Sequence, residues 1–197
     1  TLGEPKEKDV QIYEEKDELY RVEIGRTGAG KYLAYGVRSA TTTEFSILDA
    51  NNPTGDWKLF AGRQEGAEYD FEHRDGTFHI HTNAGGATNF KWMTCRPEAT
   101  DATHWKDFET PNPEVFVEGI TVFRNHAVVS ERVSGVPQLR VHDFAKSTDH
   151  RITFPEPSYN AAVGDNPEFD TDTLRFVYTS LVTPASVFDY NLNTRER

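Results

Sequence analysis

The sequence predicts an all-β fold of repeated antiparallel sheets, and three observations carry that prediction. A three-strand pattern returns four times along the 197 residues, at intervals of 45 to 49. Its second strand reads Gly30-Lys31-Tyr32-Leu33-Ala34-Tyr35, then Gly76-Thr77-Phe78-His79-Ile80-His81, then Asn125-His126-Ala127-Val128-Val129-Ser130, then Thr173-Leu174-Arg175-Phe176-Val177-Tyr178. Its third strand reads Phe45-Ser46-Ile47, Phe90-Lys91-Trp92, Leu139-Arg140-Val141 and Phe188-Asp189-Tyr190. Aromatic residues make up 12% of the chain, with 13 Phe, 8 Tyr and 3 Trp, and such side chains suit pleated, half-buried surfaces. No stretch combines an apolar stripe at helical spacing with caps at its ends. A period of this size, carried by short strands, is the signature of β-propeller blades.

In chain order, residues 1–9 are charged, contain Pro5 and lack periodicity, so they read as a frayed terminus. Val10-Gln11-Ile12-Tyr13 alternates like a short edge strand. The acidic run Glu14, Glu15, Asp17 and Glu18 behind it reads as a solvated turn. Unit one, about 18–61, has strands near 18–26, 31–38, 43–49 and 56–61, separated by Gly28, Gly30 and the breaker Asn51-Asn52-Pro53-Thr54-Gly55. Unit two, about 67–109, has strands near 67–74, 77–82, 88–94 and 104–109, with Asp75-Gly76 as a strong two-residue hairpin signal and a second turn at Ala84-Gly85-Gly86. Unit three, about 114–154, covers 114–123, 126–132, 137–144 and 149–154, with turns at Arg124-Asn125 and Ser134-Gly135. Unit four, about 158–192, covers 158–164, 174–181 and 186–192 and lacks a fourth strand.

Alternation puts Tyr32, Ala34 and Gly36 on one side of a strand and Leu33, Tyr35 and Val37 on the other. Stacked blades bury both faces, which accounts for central strands without a clean polar side. The expectation is a partial propeller of about four blades over residues 10–197.

Composition excludes several functions. A formal charge of −11 argues against nucleic-acid binding, which needs clustered Lys and Arg to neutralise phosphates. An acidic field attracts cationic peptides or polyamines, although excess acid more commonly maintains solubility. No apolar run approaches the ~20 residues of a membrane span. Neither a signal peptide nor a disulfide framework is visible, since Cys95 is the only cysteine, and a cytoplasmic location is expected.

Three local patterns invite chemistry. Gly25-Arg26-Thr27-Gly28-Ala29-Gly30-Lys31 matches the opening of a phosphate-binding loop, but Tyr32 stands where a Ser or Thr must hold magnesium, and a strand follows instead of a helix. It reads as a glycine-relaxed hairpin. His79 and His81 share one face of a strand without a third ligand at recognisable spacing, and read as histidines packed between blades. Neither a metal nor another cofactor is expected. Cys95 lacks a catalytic context and reads as a small packing residue. No Gly-x-Ser-x-Gly elbow is present, so no residue of the chain is assigned a catalytic role.

Several stretches together carry a resemblance. Residues 10–17, Ala40-Thr41-Thr42-Thr43-Glu44, Leu48-Asp49-Ala50, Glu68-Tyr69-Asp70-Phe71-Glu72-His73-Arg74, the stretch from Thr82-Asn83 to Asn89-Phe90, and Ser130-Glu131-Arg132 resemble the propeller of the prolyl oligopeptidase family of serine peptidases, in its oligopeptidase B (protease II) branch. So do Asn166-Pro167-Glu168-Phe169-Asp170, Leu174-Arg175-Phe176 and Tyr178-Thr179-Ser180-Leu181-Val182-Thr183-Pro184. The similarity keeps its order over about 10–197.

The resemblance implies a parent with a seven-bladed propeller covering an α/β-hydrolase domain that cleaves short peptides after Arg or Lys through a Ser, Asp and His triad. That hydrolase domain is the implied partner; none of its catalytic residues maps onto this sequence, and the chain alone is expected to be inactive. No role is implied for His79 and His81. In such a parent the propeller is a steric filter, with inner strands near 18–26, 67–74, 114–123 and 158–164 lining the channel. Asp70, Glu72 and Glu118 on those strands are the candidates for steering short basic peptides. The competing reading is a stand-alone small propeller acting as a protein-binding or scaffold module, in which strand 10–13 completes the last unit and closes a four-bladed ring. Failing closure, an open arc self-associates through its exposed blade faces.

Overall fold

A computed structural model describes Gly3 and residues 5–197. Among the described residues fifteen strands are formed: β1 (Arg21–Arg26), β2 (Tyr32–Arg38), β3 (Thr43–Asp49), β4 (Lys58–Ala61), β5 (Tyr69–Arg74), β6 (Thr77–Thr82), β7 (Lys91–Cys95), β8 (Lys106–Asp107), β9 (Val115–Val122), β10 (His126–Val133), β11 (Val136–Asp143), β12 (Thr148–Arg151), β13 (Tyr159–Val163), β14 (Thr173–Ser180) and β15 (Ser186–Asn191). They make three four-stranded antiparallel meanders, β1–β4, β5–β8 and β9–β12, and one three-stranded meander, β13–β15. The fold class is the one that the repeat predicts.

Turn chemistry fixes the hairpins. Asp75 and Gly76 have φ of 46° and 71°, and Ser134 and Gly135 have 52° and 81°, so both central residues of each turn are left-handed. Such turns match the twist of the flanking strands, and they are why Asp-Gly and Ser-Gly stand there. A bulge interrupts the pairing of β9 with β10. Gly119 pairs with Ser130 and Val117 with Glu131, which leaves Glu118 as the extra residue on β9.

The hydrophobic core lies between sheets. Phe45, Ile47, Phe60 and Ala61 of the first sheet pack on Tyr69, Phe78, Ile80, Met93 and Cys95 of the second. Trp92 of the second sheet packs on Val115, Val117, Val122, Ala127 and Val129 of the third. Val128, Leu139, Val141 and Ile152 of the third pack on Ala161, Leu174, Phe176 and Tyr190 of the fourth. Period-2 alternation splits each strand between two seams, so Val128 and Val129 serve different ones.

Polar groups seal the seams where backbone would go unpaired. The Tyr69 hydroxyl donates to the Ala61 carbonyl oxygen at 2.7 Å and accepts from the Phe45 amide at 2.9 Å, and burial raises its pKa above the ordinary tyrosine value. Gly36 lies opposite Phe45, where an added Cβ would stand 2.6 Å from the ring.

Three expectations are corrected. Residues 10–13 are not a strand: the segment runs as coil, with Tyr13 stacked on Tyr35 at 5.0 Å and its hydroxyl accepting from Arg63 at 2.9 Å. Its alternation serves one aromatic contact, and it pairs with no sheet edge, so the four-bladed ring closed by it is not formed. Glu15 is not a solvated turn residue. It accepts from the Lys16 and Asp17 amides at 2.9 and 3.0 Å and pairs with Arg63, and these donors bring its carboxyl down to about 2. In the stretch 1–9, Lys6–Lys8 forms a single 3₁₀ turn, while residues 1, 2 and 4 fall outside the described set.

The phosphate-loop look-alike is a hairpin, as expected. The Gly30 amide donates to the Thr27 carbonyl oxygen at 2.7 Å, β2 follows at once, and Lys31 pairs with Asp49 at 2.8 Å. Cys95 is buried among apolar neighbours, which push its thiol up to about 12 and keep it unreactive.

Candidate functional site

The first strands of the second, third and fourth sheets carry the feature of interest. β5, β9 and β13 together wall a cleft of about 700 Å³, with Asp70–Glu72 on one side, Glu118–Thr121 in the middle and Asn160–Val163 on the other. β1 does not reach this cleft. It shares with β5 a neighbouring groove of about 310 Å³, which Asp70 and Glu72 also line.

Asp70, Glu72 and Glu118 therefore do meet in one cleft, but their charges are not free to the same degree. Asp70 accepts from Arg38, which crosses from the first sheet and also holds Glu23. Glu118, re-aimed by the bulge, accepts from Arg132 Nε at 2.7 Å. Glu72 has no arginine partner among the described residues. Its carboxylate accepts the Gly28 amide at 2.7 Å, and burial raises its pKa against the pull of that bond. Arg132 thus neutralises Glu118, Asp70 is only partly compensated because it shares Arg38 with Glu23, and Glu72 is half withdrawn from solvent.

Arg38 and Arg132 escaped the sequence reading. Glu118 and Arg132 are nearly equidistant from the Arg124-Asn125 turn, so folding that hairpin on paper brings them together. The Arg38–Asp70 pair joins two sheets and leaves no such trace.

His79 and His81 lie on the wall of the same cleft. His81 Nε2 meets the Val117 carbonyl oxygen at 2.8 Å, so that nitrogen donates, and its ring stacks on Phe90 at 4.7 Å. Trp92 Nε1 donates to His79 Nδ1 at 3.2 Å, which leaves the His79 proton on Nε2, buried and without a hydrogen-bond partner. Burial, with Arg74 nearby, lowers His79 to about 3, and burial lowers His81 as well. Both are neutral histidines packed at the seam. Among the described residues no three His, Cys, Asp or Glu side chains gather as metal ligands.

The sequence profile described as the prolyl oligopeptidase N-terminal β-propeller domain matches residues 1–197. The chain belongs to the prolyl oligopeptidase propeller family. Among curated relatives, this prolyl oligopeptidase propeller is 37% identical over 197 residues to dipeptidyl aminopeptidase BI of Pseudoxanthomonas mexicana, covering all of this chain and 27% of the relative. It is 32% identical to protease 2 of Moraxella lacunata, again over the whole chain and 28% of the relative. Among solved structures, oligopeptidase B from Trypanosoma brucei with covalently bound antipain, in its closed form, superposes with a TM-score of 0.90 at 26% identity, covering 99% of this chain and 29% of that one. The chain thus spans little more than a quarter of these relatives' length. No helix among the described residues is long and apolar enough to cross a membrane.

Proposed function

We propose that this chain is the gating part of a serine oligopeptidase, where its first strands line the passage by which short peptides reach a catalytic α/β-hydrolase domain of the same parent. The single observation that carries this reading is the cleft shared by β5, β9 and β13, with polar side chains and strand edges turned inward. A rigid stack of sheets around such a passage admits extended short chains and excludes folded ones. Closure of propeller on hydrolase then shuts out water.

Charge refines the proposal. With Glu118 tied to Arg132 and Asp70 sharing Arg38 with Glu23, Glu72 is the carboxylate of the three without an arginine among the described residues and supplies the largest uncompensated negative charge in the cleft. Attraction of Arg- and Lys-containing peptides is therefore modest and centred on Glu72. The exposed end faces, Val22 and Ile24 on β1 and Val187 on β15, are surfaces on which further blades, or a second copy, pack. A reducing cytoplasm suits the buried thiol of Cys95.

The test uses the full-length protein that carries this chain. Hydrolysis of Arg-containing peptides is expected to fall steeply with peptide length and to be negligible for a folded protein with the same cleavage sequence. Equal rates on both would overturn the filter. For steering, Glu72→Gln is expected to lower kcat/KM for a cationic peptide several-fold at low salt and to flatten its salt dependence. An unchanged salt dependence would refute steering while leaving the filter standing.

A further inference from the structure

We infer that His79 is a proton-released latch on the seam between the second and third sheets: on gaining a proton it lets go of Trp92 and loosens that seam. The inference does not depend on what passes through the cleft.

The geometry allows His79 only one way to take up a proton. An indole N–H can only donate, so its partner Nδ1 must carry the lone pair, and the ring's own hydrogen must sit on Nε2. A second proton has to arrive on Nδ1, the atom that accepts from Trp92. Protonation therefore sets two N–H groups against each other at 3.2 Å and breaks the bond. Trp92 is 1% exposed, stacks on Phe108 at 4.0 Å, and is the second sheet's main contribution to the core of this seam.

The surroundings do nothing to welcome a cation. On β5, Glu72 is the cross-strand partner of His79, but its carboxylate is held by Gly28. Arg74, also on β5, stacks over Phe144 at 4.0 Å and carries a positive charge. On β6 itself, His81 is engaged with Val117. Trp92 and Thr94 face it from β7, and neither bears a charge. From the third sheet, Phe144 lies 5.2 Å away, and His142 is spoken for by Asp149 at 3.1 Å. His73 adds a further base on β5. Among the described residues His79 makes no ion pair with a carboxylate. An imidazolium here meets Arg74, a cation, and its Nε2–H stays buried without an acceptor.

The sign follows from where the proton is held more tightly. His79 titrates at the ordinary 6.5 when the seam is open and at about 3 when it is closed, so the open state binds more protons and gains as pH falls below 6.5. Between pH 7.5 and pH 5 the opening equilibrium rises about thirtyfold from this one residue. Above pH 6.5 the latch is fully set.

Hydrogen exchange of the Trp92 indole N–H, corrected to a protection factor, reads the opening directly. In the unsubstituted chain, protection is expected to fall about thirtyfold more between pH 7.5 and pH 5 than in His79→Gln, whose amide oxygen accepts from Trp92 but does not titrate. Equal falls in the two proteins, or no fall in either, would overturn the latch. Should His79→Gln not fold, ring nitrogen shifts of the unsubstituted chain decide. The latch requires the Nε2–H tautomer to persist down to pH 5 in the folded state, and a His79 ring that titrates near 6.5 with Trp92 still protected refutes it.

Discussion

Glu131 is the side chain whose environment leaves least room for substitution. It is 1% exposed on β10 and accepts from Arg140 Nε at 3.1 Å and from Arg151 Nε and Nη2 at 3.0 and 2.7 Å. Arg140 in turn grips Glu109 with both terminal nitrogens, at 3.0 and 2.6 Å, and these carboxylates raise its pKa further although burial opposes them. Replacing a buried ion pair by apolar groups is often neutral, but removing one partner leaves the other charge stranded. Glu131→Gln is therefore expected to destabilise the chain by about 3 kcal/mol in urea denaturation, through Arg140, since Arg151 is half exposed. A midpoint within error of the unsubstituted chain would show that Glu109 and Asp149, the latter 3.1 Å from Arg140 Nη1, satisfy Arg140 without Glu131. At this scale the sequence was only partly legible. It placed Asp70, Glu72 and Glu118 correctly on first strands, because alternation and turn positions locate a residue along a strand. It did not reveal which of them an arginine neutralises, because Arg38 and Asp70 are 32 residues apart and meet only once two sheets stack.

Elements were far more readable. The β3 and β6 boundaries come straight from the pattern, because Asp75-Gly76 and the Thr43 and Thr77 starts punctuate alternating apolar runs. The failure at 10–13 has a simple cause: alternation over four residues is too short to specify a paired edge, and here Val10 and Ile12 stay exposed while only Tyr13 is partly covered. The 104–109 strand shrinks to the two residues of β8 because Asp101 accepts from the Thr103 amide at 3.0 Å and caps a 3₁₀ turn that delivers Trp105 into the core. Two glycines separate backbone from packing demands. Gly76 has φ of 71°, and a Cβ there would meet nothing closer than 3.8 Å, so Gly76→Ala is expected to cost about 1–2 kcal/mol from conformation alone, and Gly76→Asn less. Gly36 lacks that backbone strain but faces the Phe45 ring at 2.6 Å, so Gly36→Ala is expected to cost about 1–3 kcal/mol, with partial recovery in the double variant Gly36→Ala/Phe45→Leu. Urea midpoints of the four variants test both; rescue of Gly76→Ala by trimming a neighbour would refute the distinction.

At the scale of the whole molecule, the period announced a stack of sheets but not what lies at its ends. Ile24 is 75% exposed on β1 and Val187 is 63% exposed on β15, and these are the residues that an adjoining blade would bury. Left uncovered, such faces promote association. Light scattering of the chain is expected to show a concentration-dependent rise in mass that the double variant Ile24→Lys/Val187→Lys abolishes. A monomer at every concentration would show that these faces are inert.

The placement of the core between sheets also sets a schedule for folding during synthesis. Each apolar cluster among the described residues needs two sheets, so a ribosome that has released the first sheet but not yet the second has exposed Phe45, Ile47 and Phe60 with nothing to receive them. Their counterparts end with Trp105, and burial is complete only when that residue has emerged. Each later sheet then docks on a surface already in place. Until the second sheet emerges, that face of the first is uncovered and open to association.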